Sequence, residues 1–83
     1  MIPRIKSVNT KGNYKLDVFF DDGKHVLYDV SDDIKNIQDF ADLKTQYALF
    51  NNFTLDQSRT CITWSDRIDL SSDSIYQYGV EIN

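Results

Sequence analysis

The residues that most often carry chemistry are scarce in this chain. Its 83 residues include one cysteine (Cys61), one histidine (His25), one proline (Pro3), three glycines and one glutamate (Glu81). A lone cysteine closes no internal disulfide, and with a lone histidine it leaves no Cys/His zinc set. Three scattered glycines form neither a phosphate-cradling loop nor a G-x-S-x-G nucleophile elbow. No stretch approaches 18 apolar residues, which excludes a membrane-spanning helix. The opening Met1–Val8 segment lacks the apolar core of a signal peptide, so a soluble cytoplasmic protein is expected. Internal repeats, low-complexity tracts and linkers are absent, and residues 1–83 read as a single domain.

What is present describes an ordinary globular composition, 41% hydrophobic and 27% charged. A domain of this size buries only about 60% of its unfolded surface, so the core must be one modest cluster. Five Phe, five Tyr and Trp64 supply its bulk. Twelve of the thirteen acids are Asp, a residue suited to turns and helix N-caps, which predicts short elements and many corners. Charge is uneven. Residues 1–24 hold five bases and three acids, whereas residues 25–83 hold four bases and ten acids, for a net −4. Most of this surface repels phosphate, although the basic N-terminal hairpin of Arg4, Lys6, Lys11 and Lys15 is locally attractive.

The first third reads as a three-stranded antiparallel meander. Tyr14, Leu16, Val18 and Phe20 alternate with Lys15, Asp17 and Phe19, and Val26, Tyr28 and Val30 share a face of the next strand. Asp21-Asp22-Gly23-Lys24 closes one turn, and Thr10-Lys11-Gly12-Asn13 closes the turn before the Tyr14 strand. The middle then switches to a helical period. Ser31 reads as an N-cap ahead of Asp32 and Asp33, with Ile34, Ile37, Phe40 and Ala41 as the apolar stripe. Asp42 reads as a second cap, with Leu43, Tyr47 and Phe50 on one face, so two short helices are expected over one bent one. The last third returns to strands at Phe53–Asp56, Thr60–Trp64 and Ile68–Leu70. A final helix is capped by Ser71, stapled by Leu70 on Ile75, and closed by Gly79 in a left-handed cap. The order βββα(α)βββα is that of an α+β domain, with an antiparallel sheet or sheets of short strands and two or three short helices on one face.

None of the candidate sites reads as catalytic. Cys61 and His25 could form a thiolate–imidazolium pair, but a small buried Cys and a surface His are the simpler reading. Asp66, Asp69 and Asp73 miss the alternating acid spacing of a calcium loop and lack its bidentate Glu, so turns and caps account for them. A hydrolase built on Asp66 and Asp69 is a remote alternative. Phe19 and Tyr76 are candidates for an exposed aromatic patch. Neither a cofactor nor a metal is expected.

The stretch Ile62-Thr-Trp64-Ser-Asp66-Arg-Ile-Asp69-Leu-Ser-Ser-Asp73-Ser-Ile-Tyr76 resembles the W-x-[ND]-x-x-D-L-[SA]-P-[DE]-x-L-Y signature of small bacterial proteins catalogued as domain of unknown function 2442. Pro3–Val8, Tyr14-Lys15-Leu16, Phe20 before Asp22-Gly23, and Tyr28-Asp29-Val30 agree with it in order. Ser72 stands where that family often has Pro, and Arg67 where it often has Gly. The resemblance implies a compact α+β domain whose gene often neighbours another short gene, and hence a toxin–antitoxin-like pairing. Some longer relatives append a helix-turn-helix region, for which this chain has no room. The signature residues Trp64, Asp66, Asp69 and Tyr76 are the candidate partner-binding positions. Read physically, Trp64 is core, Asp69 a turn or cap acceptor, and Tyr76 packs the last helix on the sheet. The expected role is a non-catalytic interaction or regulatory module that binds a protein partner, encoded nearby or a second copy of itself, through a sheet edge or aromatic patch. The alternative is a transcription-linked nucleic-acid-binding accessory that uses the basic N-terminal hairpin.

Overall fold

A computed structural model of the chain describes residues 2–46 and 48–82. Tyr47, expected on the face of the second helix, lies outside them. Three strands open the chain: β1 (Ile5–Lys11), β2 (Lys15–Phe20) and β3 (His25–Asp29). They form the expected antiparallel meander, with Val8 opposite Val18 and Val18 opposite Val26. Strand alternation turns Leu16, Val18, Phe20, Val26 and Tyr28 inward, and all five are buried. A bulge between Ile5 and Ser7 breaks the β1 register.

The first turn differs from the sequence reading. The chain reverses at Gly12–Tyr14, and the left-handed residues are Asn13 (φ 63°) and Tyr14 (φ 60°), not Gly12. Tyr14 therefore sits in the turn, where its ring meets Phe50 edge-on at 5.3 Å. That aromatic contact offsets a backbone conformation costing about 1–2 kcal/mol for a side chain of its kind. At the second turn Gly23 takes the expected positive φ (93°).

The middle segment forms α1 (Ser31–Asn36), a 3₁₀ turn (Gln38–Ala41) and α2 (Asp42–Thr45). The helix does break, but at Ile37, whose backbone is extended, rather than at Asp42, which continues the helical run. Ser31 is not the N-cap either. Val30 holds that position without a side-chain cap, and the Asp29 carboxylate accepts from both the N–H (2.9 Å) and the hydroxyl (2.5 Å) of Ser31. Ile37 leaves the predicted stripe for solvent, whereas Phe40 and Leu43 are buried.

A second antiparallel sheet follows, from β4 (Thr54–Leu55), β5 (Cys61–Ser65) and β6 (Ile68–Ser71) in that spatial order. Helix α3 (Ser72–Tyr78) starts where expected, with the Ser71 hydroxyl accepting from Ser74 N–H at 3.3 Å. It then gives way to a strand absent from the sequence reading. β7 (Val80–Glu81) joins the edge of β3 and completes a sheet ordered β1-β2-β3-β7. Gly79 is consequently extended (φ −72°, ψ 164°), not left-handed. Glycine is needed there for space, because a Cβ would lie 2.1 Å from Val26 Cγ1 and 2.7 Å from the Ile75 carbonyl oxygen.

One hydrophobic cluster draws on both sheets and α3, including Ile5, Phe20, Val26, Ile62, Trp64, Leu70 and Ile75. The sheets are joined by Arg59, in a loop organised by Asp56. The Asp56 carboxylate accepts from the N–H groups of Thr60 (2.9 Å) and Cys61 (3.0 Å) and from the Ser58 hydroxyl (2.6 Å). Its pKa falls below the usual value through these bonds, led by Ser58. Left-handed Arg59 (φ 61°) then accepts Ile5 N–H on its carbonyl (2.8 Å) and sets its guanidinium bidentate on Asp21 (2.8 and 2.9 Å).

Candidate interaction surface

The four signature residues part company in three dimensions. Trp64 alternates inward with Ile62 on β5 and is 7% exposed. It stacks on Phe50 at 6.0 Å, and its indole N–H donates to the Phe50 carbonyl at 2.9 Å, anchoring the loop after α2 to the second sheet. Asp66 and Asp69 face solvent. Asp69 lies opposite Thr63 on the outer side of β6, and neither carboxylate accepts a hydrogen bond among the described residues. The expected role of Asp69 as a turn or cap acceptor is therefore not seen. At Arg67 φ is not positive, so this turn has no need of the family's Gly.

Tyr76 does pack the last helix on the first sheet, and it gathers a small polar cluster at the β2–β3 turn. Its ring meets Phe20 edge-on at 4.9 Å, its hydroxyl donates to Asp22 at 2.6 Å, and Lys24 Nζ lies 3.9 Å above the ring. The Tyr76 bond and the Lys24 N–H hold Asp22 below the ordinary carboxylate pKa. The same bond, then burial, raises that of Tyr76. Every polar group in this cluster is engaged in holding the turn to α3. An open groove of about 1120 Å³ runs beside it, lined in part by Ile2, Pro3, Phe20 and Tyr76.

The proposed Phe19–Tyr76 aromatic patch does not form. Adjacent strand residues point to opposite faces, so Tyr76, seated on Phe20, lies across the sheet from Phe19. Phe19 stacks instead on His25, with ring centroids 3.9 Å apart, and His25 Nε2 contacts the Asp17 carboxylate. His25 is thus half-buried and structurally committed rather than a free surface residue. Cys61 is half-buried and not fully buried, because Ile62 and Trp64 take the inward parity of β5. Its thiol lies near Thr63 Oγ1 (3.7 Å) in the second sheet, whereas His25 belongs to the first. Among the described residues, no group of three or more His, Cys, Asp or Glu side chains is placed to hold a metal. None of the helices there is long and apolar enough to cross a membrane.

The longest of the four edge strands, β1, presents an open outer edge. Phe20 N–H donates to the Lys24 carbonyl (2.9 Å), so Phe20, Val18 and Leu16 direct their backbone groups to β3. Phe19, Asp17 and Lys15 then face β1, where they meet Ser7, Asn9 and Lys11. Val8 and Thr10 are left with their N–H and C=O groups on the outside. Arg59 caps this edge at Ile5, and the Thr10 hydroxyl donates to Asn51 at 2.6 Å near its far end. Between these two points the edge has no backbone partner among the described residues. It runs into a pocket of about 760 Å³ between the β1–β2 turn and α2, lined by Lys11, Asn13, Tyr14, Lys44, Gln46 and Phe50 among others. No carboxylate lines that pocket among the described residues, on a chain with thirteen acids. Lys11 belongs to the basic hairpin seen in the sequence. Lys44 does not, because only the return of α2 onto the β1–β2 turn brings it there.

No curated protein and no solved structure matches the chain. The model of one family, described as protein of unknown function (DUF2442), matches residues 5–81. That span takes in every strand and helix of both sheets, with the Trp64–Tyr76 signature inside it, and the chain belongs to the DUF2442 family.

Proposed function

We propose that this protein is a non-catalytic interaction module of the bacterial cytoplasm, one half of a two-gene, toxin–antitoxin-like pair, and that it receives its partner on the free edge of β1. The unpaired edge carries this reading: a row of backbone donors and acceptors in a rigid frame is a ready template for an added strand. Three side chains of catalytic type support it in a second way. His25, Asp22 and Tyr76 are each occupied in a structural contact. The test is co-expression with the product of the adjacent gene, tagging only one of the two. Co-elution in fixed stoichiometry on size exclusion, lost on Val8→Pro, is the expected result. Recovery of the protein alone, or only with copies of itself, overturns the reading.

One observation favours a second reading, that of a nucleic-acid-binding accessory. The lysine-lined pocket extends the basic hairpin into a patch that could meet phosphate. A gel shift on the promoter of its own gene, present at low salt and lost at higher salt, would support it; no shift at low salt ends it.

A further inference from the structure

From the β1 edge and the pocket at its end, we infer that the segment this protein takes is an acidic one, added as an extended strand beside β1 with a carboxylate seated between Lys11 and Lys44. The inference rests on the interaction-module reading and names the chemistry of the partner.

Two independent observations converge on one side of the molecule. The first is the free backbone of Val8 and Thr10, which gives an incoming strand its hydrogen bonds whatever its sequence. The window between the Arg59 cap and Asn51 spans about five residues, or roughly 17 Å of strand, enough for a short segment. The second is charge. Lys6 and Lys11 are exposed on β1 and Lys44 on α2, and the pocket at the Lys11 end of the strand has no acidic lining among the described residues. Lys11 lies 3.9 Å from Asp17, a contact long enough, and solvated enough on the lysine side, to yield to a better carboxylate. Tyr14 and Phe50 give the pocket an apolar wall on which the stem of a glutamate can lie.

The same charges argue against a second copy as occupant. Two β1 edges laid together would appose Lys6 and Lys11 with their counterparts, and like charges across an interface select against it. A phosphate backbone accepts hydrogen bonds and donates none, so it leaves the C=O groups of an open strand edge unmet, whereas an added strand satisfies both N–H and C=O.

The experiment is a ¹⁵N-amide titration of the intact chain with a short N-acetylated peptide alternating valine and glutamate. A copy with glutamine for glutamate and an oligothymidine serve as comparisons. The glutamate peptide should shift the amides of β1 and Lys44 and slow hydrogen exchange at Val8 and Thr10. Its affinity should fall at least tenfold in the double variant Lys11→Glu, Lys44→Glu, whose two positions are exposed and tolerate the change in the fold. The inference is overturned if the glutamine peptide binds equally well, because the edge then docks strands without reading charge. It is also overturned if oligothymidine produces the same shifts. Should the double variant and Val8→Pro both keep the co-expressed partner, this inference and the placement of the partner on the β1 edge are both wrong, while co-elution itself leaves the interaction-module reading standing.

Discussion

At the residue scale, two positions show how a side chain's job is set by what surrounds it. Gly79 reads from sequence as a left-handed helix cap, yet its backbone is extended, and the constraint is the Val26 methyl where β7 crosses onto β3. Gly79→Ala must displace a fully buried Val26 or part β7 from β3, at a cost of about 1–3 kcal/mol. Urea denaturation should report it as a lower midpoint, and an unchanged midpoint would show that Val26 or β7 gives way without cost. Trp64 was legible as core, but its indole donor was not. Trp64→Phe keeps most of the packing and leaves the Phe50 carbonyl without its partner, which should cost about 1–3 kcal/mol in the same assay. A loss under half a kcal/mol would mean that this loop finds another donor.

At the scale of elements, the start of α3 carries the chain's clearest departure from its family's pattern. Ser72 stands at the first helical position, where proline is well tolerated because that N–H has no partner within the helix. Here the Ser72 N–H does have a partner, the Thr60 carbonyl at 2.9 Å, which ties α3 to the start of β5. Its hydroxyl is fully buried and has no hydrogen-bond partner among the described residues. Ser72→Ala should therefore stabilise the fold by about 1 kcal/mol by removing a buried unsatisfied group. Ser72→Pro, although it matches the family signature, should destabilise it by breaking the tie to β5. Thermal melts of the two variants must shift in opposite directions for this account to hold. In the middle segment the start of α1 differs from the sequence expectation for a local reason. Asp29 lies outside α1 and still organises its first turn through Ser31, so the capping signal sits two residues before the residue that looks like the cap.

At the scale of the whole molecule, the many aspartates become a statement about acid stability. Asp22, Asp29 and Asp56 are each held below the ordinary carboxylate pKa by hydrogen bonds, led by Tyr76, Ser31 and Ser58 respectively. A carboxyl with a lower pKa folded than unfolded binds fewer protons in the native state. Its stabilisation is complete above the unfolded pKa, near 3.9, and is lost as pH falls through the folded value. Unfolding free energy should thus be flat near neutrality and decline below about pH 4, and Asp56→Asn should shrink that decline. On the alkaline side Tyr28 acts with the opposite sign. Burial first, then its 2.7 Å bond to Asp33 and the charges of Asp33, Asp32 and Asp29, push its phenol up. Stability should fall once pH passes its unfolded pKa of about 10. A pH series of urea melts checks both limbs, and an acid limb unchanged in Asp56→Asn would show that this loop is not the seat of the effect.

The sequence by itself determined what local periodicity and local chemistry encode. The two-residue alternation of β2 and β3, the Gly23 turn, the Ser71 cap, the burial of Trp64 and the family signature all depend on neighbours within a few positions. Tertiary structure decided what depends on distant chain. It divided the strands between two sheets joined by Arg59 and Asp21, which are 38 residues apart in sequence. It drew β7 onto β3 with only two residues, too few for any periodicity to show. It also placed Lys44 on the same pocket as Lys11 while leaving the β1 edge bare. Backbone groups carry no sequence label, so which edge of a sheet stays unpaired is settled only when every other strand has found its partner.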